Sequence, residues 1–165
     1  MANEPTFTTQ SASTPAQSPF DSAPTPNLAL GIVAGIVGAA VGAAAWAAIT
    51  MVTGYHLGLV AIAIGFIVGF AVRKLGNGSS LPFGIVGAVL AAAGCASGYV
   101  LTAVAVTATQ EALPFMSLLS QLTVSDVRNV LVSGFQPMDG LFYAIAIYEG
   151  FKVAMVKPAA THAPG

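Results

Sequence analysis

Glu149 and Lys152 stand three residues apart in the apolar run that contains Tyr148-Glu149-Gly150-Phe151-Lys152. On a helix that spacing puts a carboxylate and an ammonium on one face, where they can neutralise each other. Ionisable groups inside an apolar span are rare and concentrate along proton or ion paths. Three readings follow: an anchor pair near a membrane surface, with the Lys152 stem reaching toward headgroups; an intramembrane proton or cation site on Glu149, with Ser97 or Thr102 as hydrogen-bond partners; or contact with a partner subunit. Asp139 follows Gln136-Pro137-Met138 and opens the same run. A carboxylate there accepts orphan N–H groups and meets the positive end of the helix dipole, so it reads as a helix cap. His56, Glu111 and Asp139 are of types that ligate metals or exchange protons, but their spacing matches no ligand pattern. No Ser-His-Asp order, zincin helix, phosphate loop or dinucleotide fingerprint occurs. No catalytic residue, metal or cofactor is expected, and the chain does not read as an enzyme. The single Cys95 lies in an apolar run and reads as a small packing residue.

The elements that must hold these residues are helices in lipid. Of the 165 residues 56% are hydrophobic and 7% charged, with a mean hydropathy of +0.83, against roughly a quarter charged in soluble domains. Five Lys and Arg against six Asp and Glu leave a net charge of -1, too few cations for a nucleic-acid surface. Between Leu28 and Thr107 the only charged side chains are Arg73 and Lys74. Crossing a hydrocarbon core of about 30 Å takes about 20 helical residues, because backbone polar groups in lipid must be satisfied internally. Four segments qualify, at about 28–53, 57–74, 81–107 and 139–157. The expected fold is therefore an all-α membrane protein of four transmembrane helices in two antiparallel hairpins, within a domain spanning 28–157. The fourth helix is the costly one, because Glu149 and Lys152 interrupt it.

Outside the domain, 1–27 is rich in Ser, Thr, Pro and Gln and reads as a disordered tail; 158–165 is a second, short one. The tail has neither Lys nor Arg, so it fits neither a secretory signal nor a transit peptide. Loop 108–138 is too apolar for plain coil. Leu118, Leu119 and Leu122 share one helical face; after Thr123, the residues Val124, Val127, Val130 and Leu131 form another, with Asp126 in a variant capping box. An amphipathic helical loop on the outer leaflet is expected, which lies in the interface or docks a partner; a re-entrant or fifth span is the remaining alternative, opposed by Gln121, Asp126, Arg128 and Asn129. Arg73, Lys74 and Lys157 serve as cytoplasmic anchors and place both termini in the cytoplasm. Tyr55 and Trp46 lie toward the outer interface, where amphipathic rings keep their polar atoms wet.

Small residues recur every fourth position: Gly31 and Gly35, Gly38 and Gly42, Gly65 and Gly69, Gly84 and Ala88, Gly94 and Gly98. In lipid such faces let helices approach closely and pack by van der Waals contact. The spacing leaves open whether they close one chain on itself or join copies.

The residues Trp46-Ala47-Ala48-Ile49-Thr50, Thr53-Gly54-Tyr55, Ile64-Gly65-Phe66-Ile67-Val68-Gly69, Ala71-Val72-Arg73, Gly94-Cys95, Pro137-Met138-Asp139 and Leu141 to Gly150 resemble a group of bacterial four-span membrane proteins with no assigned reaction. The likeness covers about Gly31 to Lys152. It implies a bacterial inner membrane and the four-span layout, and carries over no activity and no catalytic residue. The expected function is that of a structural or accessory subunit whose partners are membrane lipid and other membrane proteins, or further copies of itself; the alternative is a small oligomeric channel or transporter using Glu149.

Overall fold

A computed structural model describes residues 25–54, 58–134 and 136–156. The tails 1–24 and 158–165, together with Tyr55, His56 and Lys157, lie outside the described residues. The described chain is all-helical, with no strand: α1 Leu28–Thr53, α2 Leu59–Gly76, α3 Leu81–Gln110, α4 Phe115–Gln121, α5 Val124–Gly134 and α6 Pro137–Met155. Three helices, α1, α2 and α3, are each long and apolar enough to cross a membrane. α6 alone is not, since Asp139, Glu149 and Lys152 all fall within it. Taken with α5 it qualifies only as one span bent by 111°.

Capping chemistry sets the ends. Asn27, expected in the tail, belongs to the bundle: its Oδ1 accepts from Leu30 N at 3.0 Å, and its own N–H donates to Gly76 O at 2.8 Å. α1 stops at Gly54, whose φ of 70° lies in the left-handed region open to glycine. α2 stops at Asn77 with φ 49°. Arg73 and Lys74 occupy its last turn, where cations favour the negative end of the helix dipole. α3 runs three residues past the expected Thr107, and its close is less comfortable. Leu113 N donates to Ala108 O at 3.0 Å in a Schellman-like turn, which forces Ala112 to φ 54°.

α2 and α3 form the central pair, and α1 and α6 flank them on opposite sides. The core is built from Ile64, Val68 and Val72 of α2, Phe83, Ala91 and Cys95 of α3, Trp46 of α1, and Ala146 and Ala154 of α6. Long helices consecutive in sequence run antiparallel, whereas α1 and α3 run parallel, as do α2 and α6. Gly31 at the start of α1 meets Gly76 at the end of α2, and Gly84 at the start of α3 meets Met155 at the end of α6. Gly58, before α2, lies on Phe142 near the start of α6. Arg73, Lys74 and Lys152 therefore share one end of the bundle, while Arg128 on α5 belongs to the other.

Every glycine singled out by spacing faces another helix of the same chain. Gly31 and Gly35 lie on Val72, Gly38 on Val68 and Ala71, and Gly42 on Ile64. Gly94 meets Ala39, Gly98 meets Ala43 and Trp46, and Gly65 meets the Ala146 backbone. Gly150, beside the charged pair, is pressed between two helices. A Cβ there would stand 2.7 Å from Gly87 O, while one on Gly69 would stand 2.7 Å from Gly150 O. Gly150 is thus the wedge at which α6 enters the groove between α2 and α3. Backbone, not a flexible side chain, bounds it on both sides, so Gly150→Leu is expected to destabilise the bundle by at least about 3 kcal/mol through overpacking. Leucine at the exposed Ala44 should be nearly neutral; thermal unfolding of both variants in detergent checks this, and equal midpoints would refute the wedge.

Candidate functional site

The sequence-singled charges do not assemble into one site. Glu149 is half-buried and Lys152 exposed. No ion pair joins them among the described residues; the Lys152 ammonium lies 5.4 Å from the centre of the Tyr148 ring, in cation–π geometry. The neighbours suggested for Glu149 sit at the wrong depth. Gly150 packs at the level of Gly87, and Ser97 and Thr102 stand ten and fifteen residues further along α3, about 15 and 22 Å away at helical rise. Ser97 is exposed, and the buried Thr102 hydroxyl donates to Gly98 O at 2.8 Å within its own helix. Asp139 does act at a helix start: its Oδ2 accepts from Gln136 N at 3.0 Å, with Pro137 in the first turn. Cys95 is buried, with Sγ 3.8 Å from Ala61 O. His56 lies outside the described residues, and among those described no group of three metal-ligating side chains converges.

Trp46 turns into the bundle rather than toward its surroundings. It is 3% exposed, packs on Gly98, and meets Tyr143 edge to face at 6.2 Å with an interplanar angle of 71°. Among the described residues α1 and α6 do not pack backbone to backbone, and this ring pair bridges them. One turn on, Thr50 is 4% exposed. Neither Trp46 Nε1 nor Thr50 Oγ1 has a hydrogen-bond partner among the described residues. Sequence reading missed this pair because Trp at a helix end ordinarily marks the membrane surface.

The second feature is the arm formed by α4 and α5, which packs on α3 alone. Leu118, Leu119, Leu122, Val127, Val130 and Leu131, the faces expected from spacing, are half-buried toward α3, while Val124 is 87% exposed. No residue of α4 or α5 is fully buried. Between the arm and α3 runs a cleft of about 520 Å3 lined by Ala103, Val104 and Thr107 of α3, Leu113 of the α3–α4 connection, Leu118 of α4, Leu122 just after it, and Val130 of α5; Thr107, Ser117, Gln121 and Asp126 are its polar side chains. Smaller cavities of about 280 and 370 Å3 share lining residues with it, toward Tyr99 and toward Phe115 respectively.

The arm's corner is held by its capping box. Thr123 N donates to Asp126 Oδ2 at 3.0 Å, Asp126 N donates to Thr123 Oγ1 at 3.3 Å, and the Thr123 hydroxyl donates to the same carboxylate. These bonds hold the Asp126 carboxyl below its ordinary range, so it is ionised at neutral pH. Gln121 Nε2 is committed to Ser117 O and Ser117 Oγ, both at 3.1 Å. The polar edge of the cleft therefore presents acceptors.

An orphaned buried hydroxyl carries a desolvation cost with no returning bond. Thr50→Val, which keeps the shape and removes the polar atom, is expected to stabilise the bundle by about 1 kcal/mol in detergent unfolding. A loss of stability would show that Thr50 is hydrogen-bonded in the native protein. Comparison with protein-family models, with characterised proteins and with solved structures gives no match to this chain.

Proposed function

We propose that this chain is a non-enzymatic accessory protein of the bacterial inner membrane that binds a partner membrane protein through the outer face of its α4–α5 arm. The observation that carries this reading is an inequality in how apolar surface is used. The small-residue faces are spent inside the chain, whereas Met116, Val124 and Val132 on the arm are 70%, 87% and 70% exposed. Apolar residues presented on a helical arm that packs on one neighbour only are typical of interaction surfaces. The partner surface is accordingly an apolar one, of the kind a transmembrane helix offers.

In this reading the protein has four spans in two antiparallel hairpins, α6 serving as the fourth. Its 19 residues cover about 28 Å, and it lies along the groove between α2 and α3. The gathering of Arg73, Lys74 and Lys152 at one end, with Lys157 next in sequence, supports a cytoplasmic location for that end and for both termini. The arm then belongs to the outer leaflet. Replacing Met116, Val124 and Val132 together by serine is expected to reduce recovery of a stoichiometric membrane partner at least about tenfold in native mass spectrometry of gently extracted protein. Undiminished recovery by that variant, or wild-type protein free of any partner, would sink the reading.

Glu149 supports a second reading. A half-buried carboxylate not paired with its neighbouring lysine can contribute one acid per copy to a ring of subunits around an aqueous path. The accessory reading expects Glu149→Gln to leave assembly and liposome proton flux unchanged. A flux present in wild type and lost in the variant would transfer the assignment to a channel.

A further inference from the structure

The geometry points to a binding site for one amino-headgroup phospholipid, its acyl chain seated in the cleft between α3 and the arm and its ammonium at Asp126. This site is on the inner side of the arm, and does not depend on what covers Met116, Val124 and Val132.

The first ground is shape. At about 520 Å3 the cleft falls within the range of about 300–1,000 Å3 usual for small-molecule sites. The cavity toward Tyr99 shares Ala103, Thr107 and Val130 with it and extends it along α3 from Tyr99 to Thr107, about 12 Å at helical rise. The second ground is lining. Six of its ten lining residues are Ala, Val or Leu, and Thr107, Ser117, Gln121 and Asp126 are the polar ones. A wholly polar solute would leave the apolar part uncompensated, whereas a chain with a polar head matches both.

The third ground is charge, and it selects the headgroup. Asp126 is the one charged side chain among the residues lining the cleft, and it is fully exposed at the mouth. Its Oδ2 serves Thr123, which leaves Oδ1 for an external donor. Gln121, its amide N–H groups turned to Ser117, lines the same cleft and has Oε1 as an acceptor. Two acceptors and no cation favour a primary ammonium, whose bond to the carboxylate is between opposite charges, over the neutral hydroxyls of an anionic glycerol headgroup.

The test is native mass spectrometry of the full chain released from vesicles of equimolar phosphatidylethanolamine and phosphatidylglycerol. The expected result is one retained phospholipid per chain, with the ethanolamine lipid enriched about fivefold over the bulk, as one charge-assisted hydrogen bond implies. Asp126→Asn should keep the bound lipid and lose the enrichment. Leu118→Trp and Ala103→Phe fill the cleft from the arm and from α3, and each should lose the lipid, with helicity by circular dichroism showing that the variant is folded. No retained lipid in the wild type, retention by either folded filled variant, or equal retention of the two headgroups would overturn the assignment. Partner recovery is read separately through the Met116, Val124 and Val132 variant, so failure of one proposal leaves the other standing.

Discussion

The bundle depends on how closely helix backbones can approach. In water, apolar side chains drive helices together; in lipid the surroundings are as apolar as the side chains, and what remains is contact at short range. Gly150 concentrates that constraint. It lies against Gly87 of α3 and Gly69 of α2 at distances that admit no Cβ, so α6 sits where backbone meets backbone. Ala146 and Ala154, each fully buried, continue the same stripe one turn to either side. The remaining small-residue faces join α1 to the central pair by the same means, and the large apolar side chains are free to face outward. Leu30, Val33, Ile36, Val37 and Val41 are all exposed on α1, the reverse of a soluble helix and the pattern lipid rewards.

Helix lengths explain why this compact unit carries a loose appendage. α2 and α6, with 18 and 19 residues, reach about 27 and 28 Å, close to the hydrocarbon thickness. α1 and α3, with 26 and 30, reach about 39 and 45 Å. The excess emerges at the end away from Arg73 and Lys74 as a two-helix ridge with no α2 or α6 beside it. The arm lies along one side of that ridge on α3, and its two short helices are too few to cover it. Half-buried faces and a row of cavities are the consequence.

Much of this was legible in the residues and some was not, for identifiable reasons. The starts of α1 and α3, the stripes on α4 and α5 and the Thr123–Asp126 cap all follow from short-range signals, which survive in any tertiary setting. The role of Gly150 was hidden by its neighbour. Glu149 drew attention as a charge, although Ala146, Gly150 and Ala154 repeat at the same four-residue spacing that marked Gly65 and Gly69. Trp46 misled because a ring near a helix end ordinarily seeks the membrane surface; here Gly98 opens a slot that takes it inside, and only the fold knows that slot. The distance between Glu149 and Ser97 was equally invisible, since it depends on the register of α6 against α3 and no spacing within one helix encodes that.

Trp46 and Tyr143 also show why the four-helix arrangement holds its shape at the end away from Arg73 and Lys74. α1 and α6 do not pack on each other, so a shear of one flank past the central pair would meet little backbone resistance there. The edge-to-face contact at 6.2 Å ties the two flanks across the core, with the geometry that the quadrupoles of aromatic rings prefer. Burying the indole N–H without a partner is the cost of placing the ring there. A phenylalanine would avoid that cost but would not fill the slot between Gly98 and Tyr143. Near the opposite end, Gly150 sets the approach of the same flank by excluding every side chain. The bundle is thus held open by a large ring at one end and drawn tight by the absence of any side chain toward the other. The arm rests beside the ring-held end, where Tyr99 abuts Gly134 at the close of α5, and it rests where the bundle leaves the most room for a ligand.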